Sequence, residues 1–192
     1  MLSKLGETQL SGCAPALMCS VHRPGDPQVL LGIDRVDYIK GIPHKLLAME
    51  TFLETHPSYV GKVVLLQIAV PTRTDVLDYQ KLRATAHELV GRINGRFGSP
   101  GYAPVQYLDK SIDFAELVAL YYTSAACVVS SLRDGMNLVA YEYVACQQVK
   151  CFRSWLPSHV TGSSERAPHL SCCTFALFGM TPIVVCLCIH HW

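Results

Sequence analysis

Two short stretches of this chain combine charged residues and glycine in patterns suited to holding a diphosphate and a sugar. In Asp34-Arg35-Val36-Asp37-Tyr38-Ile39-Lys40-Gly41, two cations stand five residues apart. Arg35 offers a planar fork of donors, Lys40 a compact point charge, and Gly41 lets the backbone approach a ligand closely. The same residues allow a plainer arrangement, in which Arg35 forms a surface ion pair of little energetic weight with Asp34 or Asp37. The second stretch, Leu132-Arg133-Asp134-Gly135-Met136-Asn137-Leu138-Val139-Ala140-Tyr141-Glu142, ends a strand pattern and begins a helix within eleven residues. The first amides of a helix lack intrahelical partners and lie at the positive end of its dipole, so they can hold a phosphate without a lysine-rich patch. Asp134, on a tight turn, can accept hydrogen bonds from sugar hydroxyls, and Glu142, one turn into the helix, from a ribose diol. The alternative is an ordinary Asp134-Gly135 turn with Glu142 as a solvated helix residue.

Both stretches follow apolar runs that read as strands. Val29 to Ile33 reads as a buried strand, the charged loop comes next, and Ile42, Leu46, Met49 and Leu53 recur at helical spacing until His56-Pro57. The unit repeats with Val63 to Ala69 as a strand and a helix from about Asp75, whose inner face carries Tyr79, Leu82, Ala86, Leu89 and Ile93 and which Gly95 and Gly98 end. A short strand at Val105 to Leu108 leads to Asp113, a helix cap to whose amide Glu116 can reach back, with Phe114, Leu117 and Tyr121 on the inner face. Cys127-Val128-Val129 forms the fourth strand, and a fourth helix begins near Asn137. Four alternating strands and helices imply right-handed crossovers and a parallel sheet covered on both faces, the doubly wound α/β class. Ligands of such sheets bind beyond the carboxyl ends of the strands, so the loops at 34–41, 71–75 and 133–137 are expected along one rim.

The chain has 192 residues, room for one ordinary domain, and is 50% hydrophobic and 16% charged, which argues against disorder. A net charge of +1 supplies no broad field for nucleic acid or an anionic membrane. There is no G-x-G-x-x-G, no G-x-x-x-x-G-K, no D-x-D and no C-x-x-C, which disfavours dehydrogenase, P-loop and metal-dependent chemistry. His44, His56 and His87 read as solvated helix residues. Nine cysteines without a secretory leader point to a reducing compartment, and five of them lie beyond Gln148.

Taken in order and spacing, Gly32 to Pro43, Gln67 to Arg73, Gly91 to Gly98 and Leu132 to Glu142 resemble trehalose-6-phosphate synthases of the plant type, over about Val29 to Gln148. The resemblance implies part of the C-terminal lobe of a GT-B glycosyltransferase, with a Rossmann-like parallel sheet that is incomplete here. It implies retaining transfer of glucose from UDP-glucose to glucose 6-phosphate in the cytoplasm, with no cofactor and no metal. Carried onto this chain, Arg35 and Lys40 bind the diphosphate, and Leu138, Val139, Ala140, Tyr141 and Glu142 hold phosphates and ribose. The Ile112 backbone meets the uracil, Asp134 with the amides of Gly135, Met136 and Asn137 grips the donor glucose, and Arg73 faces the phosphate of the acceptor.

Three segments are expected: an irregular leader at 1–28, the partial nucleotide-sugar lobe at 29–148, and a divergent tail at 149–192. The tail replaces the further strand and Glu-Phe-Ala-Gly-Ala-like segment of the family with Val149-Lys-Cys-Phe-Arg-Ser-Trp, which reads as a translated intron or shifted frame. It shows no clean period and is not expected to complete the sheet. Leu170 to Ile189 is twenty residues without a charge, long enough to span a bilayer, yet diluted by Ser, Thr, Gly and Pro, so membrane attachment is not the favoured reading. With no counterpart of the acceptor lobe, the chain alone is expected to lack turnover. A rival reading makes it a non-catalytic partner that pairs the open edge of its fourth strand with an intact synthase.

Overall fold

The first strand lies inside the sheet, with parallel neighbours on both sides. In the computed structural model, which describes residues 26–72, 76–134 and 136–148 together with the backbone of 174–178 and 181–187, β1 (Gln28–Arg35) pairs in parallel with β2 (Val63–Val70) along its full length. β2 pairs in parallel with β3 (Val105–Leu108), and β1 pairs in parallel with β4 (Ala126–Val129). Three helices fill the crossovers, α1 (Ile42–Thr55), α2 (Leu77–Phe97) and α3 (Phe114–Thr123), and a fourth, α4 at 138–148, follows β4. The parallel order β3-β2-β1-β4 is the doubly wound arrangement that the alternation of elements implies.

Strand alternation sorts the core into two layers. On one face Val63, Leu65 and Ala69 meet Ile42, Leu46, Met49 and Leu53 of α1 and Leu82, Ala86, Leu89 and Ile93 of α2. On the other, Leu31, Ile68, Cys127 and Val129 meet Tyr121 of α3 and Tyr143 of α4. α1 stops at Thr55, immediately before His56-Pro57, as a helix should ahead of a proline. Asp113 caps α3 by accepting from the Glu116 amide at 2.7 Å.

Three expectations need correction. Phe114 is 79% exposed, so the inner face of α3 is built by Leu117, Leu120 and Tyr121 instead. Phe114 is the first residue of the helix, and since helical side chains lean toward the N-terminus it has no preceding turn to lie over. The Glu116 carboxylate pairs with Lys110 at 2.8 Å rather than turning back to the cap. Gly95 lies inside α2, which runs on to Phe97 with Gly98 just beyond, since one glycine in a long helix weakens it by only about 1 kcal/mol.

The tail corrects the sequence reading most. β5 (Thr174–Phe178) and β6 (Thr181–Leu187) form an antiparallel pair, and β6 adds to β4 antiparallel, Ala126 opposite Leu187 and Val129 opposite Val184. The sheet therefore has six strands in the order β3-β2-β1-β4-β6-β5. Ile183-Val184-Val185-Cys186-Leu187 has no alternation to detect, yet a short apolar run rich in β-branched residues suits a strand. The edge of β4 on which the rival reading placed an intact synthase carries β6 instead. No helix among the described residues is long and apolar enough to cross a membrane. The leader up to residue 25, residues 149–173 and residues 188–192 lie outside the described residues.

Candidate functional site

The sheet order reverses between β1 and β4: β2 and β3 lie to one side of β1, and the chain then crosses to place β4 on the other. The two loops leaving these strands lead to helices on opposite faces of the sheet, and in this class of sheet the crevice beyond such a point is the usual ligand position. Both charged stretches lie there. The loop after β1 makes a short 3-10 turn at Tyr38–Lys40, in which Asp37 accepts from the Ile39 amide at 3.3 Å. Gly41 follows at φ 64°, ψ 32°, in the left-handed region, and a Cβ on it would collide with the Ser130 carbonyl oxygen.

That close approach couples the two loops. The Ser130 hydroxyl lies 3.0 Å from the Lys40 carbonyl and 3.1 Å from that of Gly41, and the Leu132 amide donates to the Ile39 carbonyl at 2.7 Å. The Thr72 hydroxyl donates to the Val36 carbonyl at 2.9 Å, tying the loop after β2 to the same rim. Across the crevice the Lys40 ammonium meets Asp134 Oδ2 at 2.6 Å, and the Asn137 amide group donates to the same oxygen at 3.1 Å. The Lys40 hydrogen bond outweighs partial burial and holds the Asp134 carboxyl below its ordinary value. Asn137 also caps α4, its side-chain oxygen accepting from the Ala140 amide at 3.3 Å, so that first-turn amide is already satisfied.

Arg35 is exposed and has no side-chain partner among the described residues, so neither pairing with Asp34 nor pairing with Asp37 forms. Asp34 instead turns inward. It meets Lys45 of α1 at 2.6 Å and accepts from the Gln67 amide group at 3.2 Å, with both ionic side chains nearly fully buried. Gly32 makes room for this trio: a Cβ there would collide with Gln67 Oε1 and approach Lys45 Nζ at 2.7 Å. The pair anchors the last residues of β1 to the first turns of α1 and so fixes both ends of the loop that carries Arg35 and Lys40.

The remaining site residues divide. Met136, Leu138 and Tyr141 are exposed, while Val139 and Ala140 pack on the core beneath β1 and β4. Ile112 follows β3 and packs on the same core. Glu142 accepts from the Tyr121 hydroxyl at 2.9 Å. Arg73 and Gly135 lie outside the described residues. Among the described residues no cluster of three or more His, Cys, Asp or Glu could hold a metal ion. Sequence reasoning missed Ser130, Lys45, Gln67 and Tyr121. Lys45 stands at i+3 from Ile42, on the buried side of α1, which was a usable signal; nothing local marks Tyr121, whose partner is 21 residues away.

The chain resembles known proteins over most of its described length. A synthase from Pichia angusta named "Alpha,alpha-trehalose-phosphate synthase [UDP-forming]" is 61% identical over 123 residues, 64% of this chain and 26% of that protein. One of the same name from Zygosaccharomyces rouxii is 54% identical over 138 residues, 72% of this chain and 28% of that protein. Among solved structures, an E. coli protein described as bound with UDP-2-fluoro glucose superposes with a TM-score of 0.63 at 40% identity, covering 68% of this chain and 28% of its own. A Burkholderia xenovorans synthase in complex with glucose-6-phosphate gives 0.62 at 39%, covering 68% of this chain and 27% of its own. The chain thus spans about a quarter of the length of the relatives it matches. The sequence profile described as glycosyltransferase family 20 matches residues 22–169, which takes in every element from β1 to α4 and both loops of the crevice, and the chain belongs to that family.

Proposed function

We propose that this chain is the donor-binding part of a UDP-forming trehalose-phosphate synthase, an enzyme that moves glucose from UDP-glucose to glucose 6-phosphate with retention. The observation that carries the reading is the Lys40–Asp134 contact across the crevice between β1 and β4, which sets a cation beside a sugar-accepting carboxylate. In this reading Arg35 and Lys40 take the diphosphate, the first amides of α4 and Glu142 take phosphate and ribose, and the Ile112 backbone takes the uracil. Asp134, with the Gly135, Met136 and Asn137 amides, grips the glucose, and Arg73 faces the acceptor phosphate.

In the reaction the bond from the glucose anomeric carbon to the diphosphate breaks and a bond to the acceptor oxygen forms on the same face. Negative charge grows on the departing diphosphate, which takes the acceptor proton. Groups aimed at that growing charge accelerate the step, and loss of one such donor typically lowers the rate by about 10²-fold or more. No pair of protein carboxylates and no metal is needed. Turnover requires the remainder of such a synthase, and the expected compartment is the cytoplasm.

Calorimetric titration of the chain with UDP and UDP-glucose tests the reading. Binding by the wild type that weakens strongly in Arg35→Ala is expected, and no binding at millimolar nucleotide refutes it. Release of trehalose 6-phosphate by the purified chain from both substrates would refute the requirement for the remainder.

A further inference from the structure

Glu142 lies on the exposed side of α4, where a glutamate has three side-chain torsions and no reason to hold one position. Here it has one. The Tyr121 hydroxyl donates to Glu142 Oε2 at 2.9 Å, and Tyr121 itself is packed in the core, only 1% exposed. Its ring stands edge-on to Tyr143 with centroids 6.3 Å apart. Its backbone is clamped from α4 as well, since the Gln147 amide group donates to the Tyr121 carbonyl at 2.7 Å and to the Ser124 carbonyl at 3.1 Å. Burial first, and the carboxylate second, push the Tyr121 phenol well above its ordinary value, so it stays a donor throughout the pH range of a folded protein.

We propose that Tyr121 is a positioning residue for ribose recognition, its buried phenol holding the Glu142 carboxylate in the orientation that accepts a vicinal diol. This rests on the reading of Glu142 as the ribose acceptor. A carboxylate has about four lone-pair sites, so one hydrogen bond from Tyr121 leaves both oxygens able to accept from the 2′ and 3′ hydroxyls. Fixing the carboxylate in advance removes ordering that the nucleotide would otherwise have to impose. A core tyrosine needing only some polar partner for its hydroxyl would use Glu142 without consequence for ligands, and that difference is measurable.

The experiment compares UDP with 2′,3′-dideoxy-UDP on the full chain by calorimetry, and reads the ratio of their dissociation constants together with the thermal midpoint. The wild type should favour UDP, and Tyr121→Phe, which keeps the ring in place, should shrink that preference about fivefold while dideoxy-UDP binding changes less than about twofold. Glu142→Asp keeps the charge on an exposed residue but draws it back from Tyr121, so it should shrink the preference similarly without threatening the fold. Glu142→Gln should shrink it too, and adding Tyr121→Phe to Glu142→Gln should do nothing more. If Glu142→Gln loses the preference while Tyr121→Phe or Glu142→Asp keeps it, the positioning role is overturned and the ribose reading stands. Equal weakening of both nucleotides in Tyr121→Phe also overturns the positioning role. A preference unchanged in Glu142→Gln, or no UDP binding by the wild type, overturns the ribose reading and the positioning role with it.

Discussion

Replacing Lys45 by methionine should destabilise the chain out of proportion to the atoms removed. Methionine has nearly the same length as lysine and leaves little void, so packing around α1 is kept. The change instead strips from Asp34 its only cation among the described residues: the Asp34 side chain is 4% exposed and meets Lys45 at 2.6 Å, and the Gln67 amide group at 3.2 Å stays as a partner. Breaking a buried pair by removing one member typically costs about 3–5 kcal/mol, because an uncompensated charge is left behind. For a chain of this size that corresponds to a fall of about 6–20 °C in the thermal midpoint. The double variant Asp34→Asn/Lys45→Met removes both charges and keeps an acceptor for Gln67, so it should recover most of the loss, with a coupling of about 2 kcal/mol or more. Urea unfolding of the wild type, both single variants and the double variant gives the cycle. A Lys45→Met penalty under about 1 kcal/mol, or a double variant as unstable as the sum of the singles, would show that the pair does not anchor β1 to α1.

Gly41→Ala should lower both stability and UDP affinity, since it meets a left-handed backbone and the Ser130 carbonyl at once, together about 2 kcal/mol or more by unfolding; a variant as stable as the wild type would contradict that geometry. The Asp134 carboxyl is held low by Lys40, so its contribution to stability is present above its unfolded value of about 4 and lost as pH falls through the folded value. The stability gap between wild type and Lys40→Gln should therefore close as pH is lowered from about 5 to below 3, and a gap that stays constant would count against the pair. Ending the chain after Gln148 uncovers the β4 edge that β6 pairs with, so the shortened chain should self-associate in size-exclusion chromatography; an equally soluble monomer would show the hairpin to be dispensable.

Elements with a period were legible in the sequence, and those whose meaning lay in long-range contact were not. Ile42, Leu46, Met49 and Leu53 announce the buried face of α1, and all four are buried. The junction of the loops at 34–41 and 130–137 follows from strand alternation, because loops leaving the carboxyl ends of parallel strands share an edge. What the alternation cannot say is which acid meets which base. Asp34 and Arg35 look like a local pair, yet consecutive residues of a strand face opposite ways, so Asp34 goes into the core and Arg35 to solvent. The strands of the tail were missed for a different reason. A run such as Ile183 to Leu187 has no periodicity, so only length and β-branching speak for a strand, and neither says which edge it joins.

The pairings also change the charge count on which ligand binding depends. Between residues 34 and 45 stand three cations, Arg35, Lys40 and Lys45, and two acids, Asp34 and Asp37. Lys45 is consumed by Asp34 in the core, Asp37 is turned to the Ile39 amide, and Lys40 is held by Asp134 at 2.6 Å. Among the described cations of this loop, Arg35 alone is exposed without a side-chain partner. A diphosphate must therefore draw Lys40 away from Asp134, and a ligand that also brings sugar hydroxyls returns hydrogen-bond partners to the carboxylate it displaced. UDP alone does not. Asp134→Asn should consequently raise the affinity for UDP, by up to about fivefold given the ~1 kcal/mol of a partly exposed pair, and raise that for UDP-glucose less or lower it. Calorimetry with both nucleotides measures the two changes side by side. An unchanged or weakened affinity for UDP would mean that Lys40 and Asp134 do not compete with the diphosphate, and the ligand-free ion pair would then be incidental to binding.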